Sequence, residues 1–361
     1  MKKRISLIVS ILFVTAITTV FAAEGLKFSI QESKKIATSN SKQAVIDDLN
    51  IKAKESALRD AEKDAKMSTS VNTKIDILNN NIAREVNPAK AAAELEYAKK
   101  IKEENLKKLE LEAYNATANM LLIKKELEME KGKQDILNEK YKITETRFKE
   151  GKLTENDLID AKHALDLKAI DINKVTSKLK AANFELRRIL GLDMSEDLID
   201  IKDNLILAST KDIDIEKVVE NALNNDAELY IKGEELKASE KTMEFTKEEY
   251  EQGTAIYDEN MLNLENAKVN FEDAKVNLEV SIRNKYNDIL TARDKVRLAQ
   301  KWEAICIDKL KNAEFKFEKG LISKEEVLNA KENYLDAQYQ TYLAIYNYNI
   351  LRTEFETLYV K

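Results

Sequence analysis

Residues 147–162 read RFKEGKLTENDLIDAK, and residues 316–331 read KFEKGLISKEEVLNAK. Laid over one another at an offset of 169, Gly151 on Gly320, the two stretches share an aromatic residue three before the glycine (Phe148, Phe317), a hydroxyl residue three after it (Thr154, Ser323) and an acid three further on (Asp157, Glu326). Each shared position has a task at a helix end. Glycine accepts the left-handed backbone that stops a helix. Thr or Ser then offers an oxygen to the first free amides of the next helix, and an acid three residues later closes a capping box. The pattern predicts a tight helical hairpin, written twice.

The flanks carry the same message. After Gly151, Leu158, Leu165, Ile172, Leu179 and Leu186 fall seven apart, with Ala161, Val175, Ala182 and Ile189 as a second row interrupted only by Lys168. The second copy keeps that face with Val327, Tyr334, Thr341, Tyr348 and Phe355, and similar rows precede both glycines. Rows of this period are coiled-coil seams. The limbs entering the turns, 89–149 and 260–319, would each reach about 90 Å, and the return limbs about 55 Å, at the helical rise per residue. Two such hairpins in one chain leave apolar stripes uncovered, so copies are expected to associate.

A weaker match opens each half. Phe28-Ser29-Ile30 and Ile213-Asp214-Ile215 lead into helical patterns carrying Ala37/Asn40 and Ala222/Asn225, at an offset of 185. The offsets differ by 16, so the first half holds about 16 extra residues between its opening helix and its glycine turn. The organisation expected is a leader over 1–22, a first hairpin repeat over 23–195 and a second over 196–361. The fold class is all-α with at most a minor β part.

Composition excludes more than it proposes. Seven Gly and one Pro in 361 residues leave too few tight turns for a dinucleotide-binding fold, a (β/α) barrel or a phosphate-binding loop. One Cys and one His remove an internal disulfide and the commonest general base and metal ligand. His163 has no nucleophile motif beside it, Cys306 falls on the seam as a small apolar residue, and Trp302 reads as packing. No enzyme activity, cofactor or metal is expected.

Residues 1–22 have the form of an export signal: Lys2, Lys3 and Arg4, an apolar run to Val20, then Phe21-Ala22 with cleavage after Ala22. Removing those three cations takes the formal net charge from −6 to −9. An acidic exported chain whose lysines alternate with glutamates is a poor match for nucleic acid.

The paired motif F-x-x-G-x-[LI]-[ST]-x-x-[DE]-[LV]-[LI]-x-A, the A-x-x-N helix openings and the export signal together resemble the TolC-like outer membrane efflux protein family. The resemblance implies a homotrimer in which each chain supplies two hairpins to a twelve-helix tube. It further implies docking of a membrane-fusion adaptor, itself coupled to an inner-membrane pump, at the glycine turns. On this sequence Gly151, Leu153, Gly320 and Leu321 match the docking turns. Asp157, Asp160 and Glu326 match positions near the pore constriction, while Asn329 lacks the charge of its counterpart. Location in the outer membrane or periplasm follows from the same likeness.

The family pattern also implies two β-strands per half, closing a barrel through the membrane. Here Met67, Thr69, Val71, Thr73, Ile75 and Ile77 alternate with polar residues as one such strand would. Residues 79–87 offer no evident partner. Residues 241–260 carry only scattered Phe245, Tyr250 and Tyr257 amid Glu and Lys, a stretch that suits a continued helix as well, so either the barrel is reduced or the chain does not span a membrane. The function expected is a passive export duct. The alternative is a coiled-coil envelope protein of structural or adaptor type that does not conduct.

Overall fold

The computed structural model describes residues 26–67 and 72–360. The leader expected at 1–22 lies outside them. Helices dominate: α1 (Ile30–Ser39), α2 (Lys42–Ala65), α3 (Lys74–Asn81), α4 (Asn87–Lys149), α5 (Glu155–Leu190), α6 (Ile215–Asn225), α7 (Ala227–Glu249), α8 (Ala255–Glu318) and α9 (Lys324–Tyr359). Among the described residues the strands are β1 (Lys27–Phe28) and β2 (Asp200–Ile201), a two-residue parallel pair that ties the two halves together.

The long helices lie side by side in the order α5, α4, α9, α8, each in contact with the next. Small residues set how closely the short helices approach. Ala113, Ala116 and Ala118 on α4 admit α1, whose Ser33 hydroxyl receives a hydrogen bond from Thr117 at 3.0 Å in a fully buried position. In the second half α6 places Val218, Val219 and Ala222 on Ile282, Ile289, Tyr348 and Phe355 of α8 and α9. The repeat is thus visible as two equivalent packings, α1 on α4 and α5, and α6 on α8 and α9.

The 16-residue excess has a definite place. Between α2 and α4 the chain spends residues 66–86, whereas between α7 and α8 it spends only 250–254. The longer connection contains α3 and a π turn, Ile82–Val86, which run without a break into α4. Pro88 accounts for the widened turn. Its ring cannot sit against the carbonyl four residues back and it donates no amide hydrogen, so the helix loosens just before it.

The strand expected over 67–77 is corrected here. Thr73 is the N-cap of α3, in a capping box with Asp76, so Lys74, Ile75, Asp76 and Ile77 are helical. The capping box and the helical hydrogen bonds that follow it decide between the two periods. Leu78, Ile82 and Val86, four apart and so on one face under either period, pack in one cluster with Ala238 and Phe245 of α7. Residues 68–71 of that stretch lie outside the described ones.

The segment joining the halves, 191–214, crosses the return helices in irregular backbone held by side chains. Asn183 and Arg187 of α5 donate to the carbonyls of Ser195, Asp197 and Asp193. Asn349 and Arg352 of α9 do the same for Ile206 and Lys211. Asn40, the first A-x-x-N asparagine, donates to the last carbonyl of α5, Leu190 O, at 2.8 Å. Its counterpart Asn225 instead donates to Asn221 O within its own helix.

Candidate functional site

Both glycine turns are built as their sequences require. Gly151 and Gly320 each adopt φ of 71°. In each, the amide after the glycine returns to the carbonyl five residues back, Lys152 to Arg147 and Leu321 to Lys316, both at 2.9 Å. Helices α5 and α9 then open with complete capping boxes. The Thr154 amide donates to Asp157 Oδ2 at 2.7 Å and the Ser323 amide to Glu326 Oε2 at 2.8 Å. These bonds favour the ionised acids and hold both carboxyls below their ordinary range. The Thr154 hydroxyl leads at Asp157 and the Ser323 amide at Glu326.

The two turns lie at the same end of the molecule and level with each other. Arg147, four residues before Gly151, meets Glu325, five after Gly320, at 3.0 Å. Above it Lys140 pairs with Glu332 at 2.9 Å and Lys133 with Asp336 at 2.5 Å. The cations recur every seventh residue on α4, so they form one row facing α9. This ladder joins hairpin to hairpin. Its signal was present in the sequence as heptad-spaced charge flanking a seam, and only the partner helix was missing.

At the tip the apolar residues divide. Leu153 and Ile322, which are equivalent, are half-buried, as a residue before an N-cap commonly is. Leu321 is 71% exposed, with Phe315 and Phe317 also open to solvent behind it. Lys152 occupies the place equivalent to Leu321, so the second turn presents the larger apolar surface. Asp157, Asp160 and Glu326 are all exposed near this end.

The outer helices of the four-helix layer expose apolar residues, Ile159, Leu167 and Ile170 on α5, and Leu298, Trp302 and Ile305 on α8, although beyond the layer α5 meets α1, and α8 meets α6 and α7. Counted from the level turns, Leu167 and Ile170 stand 16 and 19 residues up, and Ile305 and Trp302 stand 15 and 18. Leu298 and Trp302 also border a groove of about 810 Å³ completed by Gln340, Leu343 and Asn347 of α9. Cys306 is buried on the seam and His163 is exposed on α5. Among the described residues no group of His, Cys, Asp and Glu is arranged to hold a metal ion.

Solved structures share this arrangement. The Campylobacter jejuni CmeC outer membrane channel superposes with a TM-score of 0.66 at 13% identity, over 92% of this chain and 85% of that one. The Vibrio cholerae outer membrane protein VceC gives 0.65 at 11% identity, over 91% and 94%. The open state of the Neisseria gonorrhoeae MtrE outer membrane channel gives 0.62 at 12%, over 91% and 88%. The chain has the fold of the TolC-like outer membrane channels. At these identities the likeness is one of backbone architecture. No family model and no curated protein matches the sequence.

Proposed function

We propose that the chain is one third of a passive export duct of the cell envelope, a homotrimer that receives cargo at its glycine turns from a membrane-fusion adaptor coupled to an inner-membrane pump. The observation that carries this reading is the level match of the open edges. Leu167 and Ile170 of one copy would meet Leu298, Trp302 and Ile305 of the next, so that burial removes from water what a single chain leaves exposed. Edges of this kind are heterologous, and they give a ring where the rotation from copy to copy closes, which the duct requires of three copies.

Within such a ring the tips meet the adaptor through Gly151, Leu153, Gly320 and the exposed Leu321. Asp157 and Glu326, six carboxylates in a trimer, form an acidic collar near the opening, with Asp160 one turn above. A collar of that sign favours cations and disfavours anions. The chain performs no chemistry on what passes.

Cross-linking tests the ring. Ile170→Cys with Ile305→Cys, one from each edge, should give a disulfide ladder ending at trimer on oxidation, and electron microscopy of the product should reveal a central lumen. The buried native Cys306 does not compete. Ladders that end at dimer, or a trimer without a lumen, would overturn the duct. The second reading, a non-conducting envelope scaffold, is favoured by the five-residue connection between α7 and α8. A solid bundle in the same images is its signature.

A further inference from the structure

We infer that the end of the molecule opposite the glycine turns is a water-facing helical crown, so that a duct built from this chain opens into water at that end and carries no passage of its own across hydrocarbon. The inference goes beyond the duct reading and holds for a scaffold equally.

Chain length makes the first argument. A membrane-spanning strand takes about 9–11 residues, and a half would need two of them and a turn. The second half has 250–254 between α7 and α8, all described, and the first has 66–73 between α2 and α3. Neither gap holds even one such strand.

The second argument is that the helices here are finished ends. Helix α3 starts on the Thr73–Asp76 capping box. Helix α7 ends with the Glu249 carbonyl taking a hydrogen bond from Lys74 Nζ at 2.8 Å, a contact between the two halves. The turn to α8 contains Gly253 at φ 89°, and the Thr254 hydroxyl donates to Glu251 O at 2.8 Å. Lys241 reaches Glu85 of the π turn at 3.5 Å. The start of α3 and the end of α7 are met by side chains, while the first amides of α8, whose N-cap Thr254 makes no side-chain cap bond, are left to water.

The third argument is charge. Glu248, Glu251, Asp258 and Glu259 are exposed around the α7–α8 turn, and Lys66 and Lys74 around the other. Hydrocarbon excludes such groups unless they are paired or face a wet cavity. Leu78, Val86 and Phe245 are turned inward, and Met67 and Ile75 stand exposed among these charges. The extra 16 residues of the first half thus extend α4 until it stands level with the end of α7.

The exported chain carrying Glu251→Cys is mixed with vesicles of phosphatidylethanolamine and phosphatidylglycerol, floated on a gradient, and labelled with a membrane-impermeant maleimide. The expected result is the same labelling rate with and without vesicles. If the chain floats while Cys labelling is unchanged, it is held to the lipid elsewhere, and the crown stands. Labelling about tenfold slower on vesicles, because the hydrocarbon excludes the polar reagent, together with a gain of strand signal in the infrared amide band, would overturn it. The oligomer mass is read on the same sample. A missing trimer there counts against the duct and leaves the crown untouched.

Discussion

Lys168 of α5 and Glu130 of α4 meet at 2.8 Å inside the seam of the first hairpin, where the second hairpin, 169 residues on, has Ala337 and Ala299. The two side chains are only 17% and 15% exposed, and Asp171 adds a contact to Lys168 at 3.3 Å. The bonds to Glu130 and Asp171 outweigh burial, so the Lys168 pKa is raised. Removing one member leaves the other desolvated without a partner, which costs more than the pair itself contributes. Lys168→Ala should therefore destabilise the chain by about 1–2 kcal/mol, allowing for partial solvent access. Adding Glu130→Ala should recover most of that loss, since paired alanines are what the second hairpin uses. Urea unfolding followed by circular dichroism checks both, and a double variant weaker than the single would refute the account.

The ladder between α4 and α9 is a different kind of ion pairing. Its cations are more open to water toward the tip, from Lys133 at 16% to Arg147 at 40% exposed. Individual pairs of that sort contribute about 0–1 kcal/mol. Their effect should appear in geometry rather than in global stability. Neutralising Lys133, Lys140 and Arg147 together to Gln is expected to leave the unfolding midpoint nearly unchanged while widening the distance between spin labels at Lys152 and at Lys319. Restoring Arg147 alone should narrow the tip distribution most, because that rung lies next to the turns. An unaltered distance distribution in the triple variant would show that seam packing alone holds the tips together.

Much of this architecture was legible before any coordinates. The heptads around Leu165 and Leu179 and the paired glycine motifs specify local geometry, and local geometry is what helical hairpins are made of. The strand reading of 67–77 failed because alternation at Ile75 and Ile77 competed with a capping box at Thr73. The spacing of Leu78, Ile82 and Val86 suits either period, and what buries them is α7, a partner helix that a single sequence does not display. The linker clamps Asn183, Arg187, Asn349 and Arg352 were missed for the same reason. Each holds backbone more than five residues away, in a segment with no period of its own.

The glycines of the turns separate backbone strain from crowding. At Gly151 and Gly320 a Cβ would meet nothing within 4 Å, so alanine there carries only the left-handed backbone penalty, about 1–2 kcal/mol. Gly191 closes α5 at φ 64° and would place its Cβ 3.1 Å from Asn40 Cβ. Gly191→Ala should thus cost more than Gly151→Ala, and Asn40→Gly should relieve part of the excess while losing the bond to Leu190 O. Thermal melts of the three variants decide it. Equal losses at Gly191 and Gly151 would mean the Asn40 contact yields without cost.

The capping boxes predict how the chain responds to acid. Asp157 and Glu326 are held below their ordinary pKa by their own N-cap residues. At Glu32 the Ser29 amide, followed by Lys202, pulls the carboxyl down to about 2. A carboxyl that is more acidic when folded binds its proton first in the unfolded chain, so its contribution is complete above the ordinary carboxylate range and is lost as pH falls below it. The melting temperature should therefore stay level from neutral pH down to that range and then drop. Asp157→Asn with Glu326→Gln should lower the plateau and flatten the upper part of the drop, since the variant has no carboxylate to protonate at either turn. Glu32→Gln should flatten the drop from the ordinary carboxylate range down to about pH 2, further into acid than the turn carboxylates reach. A double variant with an acid limb as steep as the parent's would assign the acid response to carboxylates away from the turns.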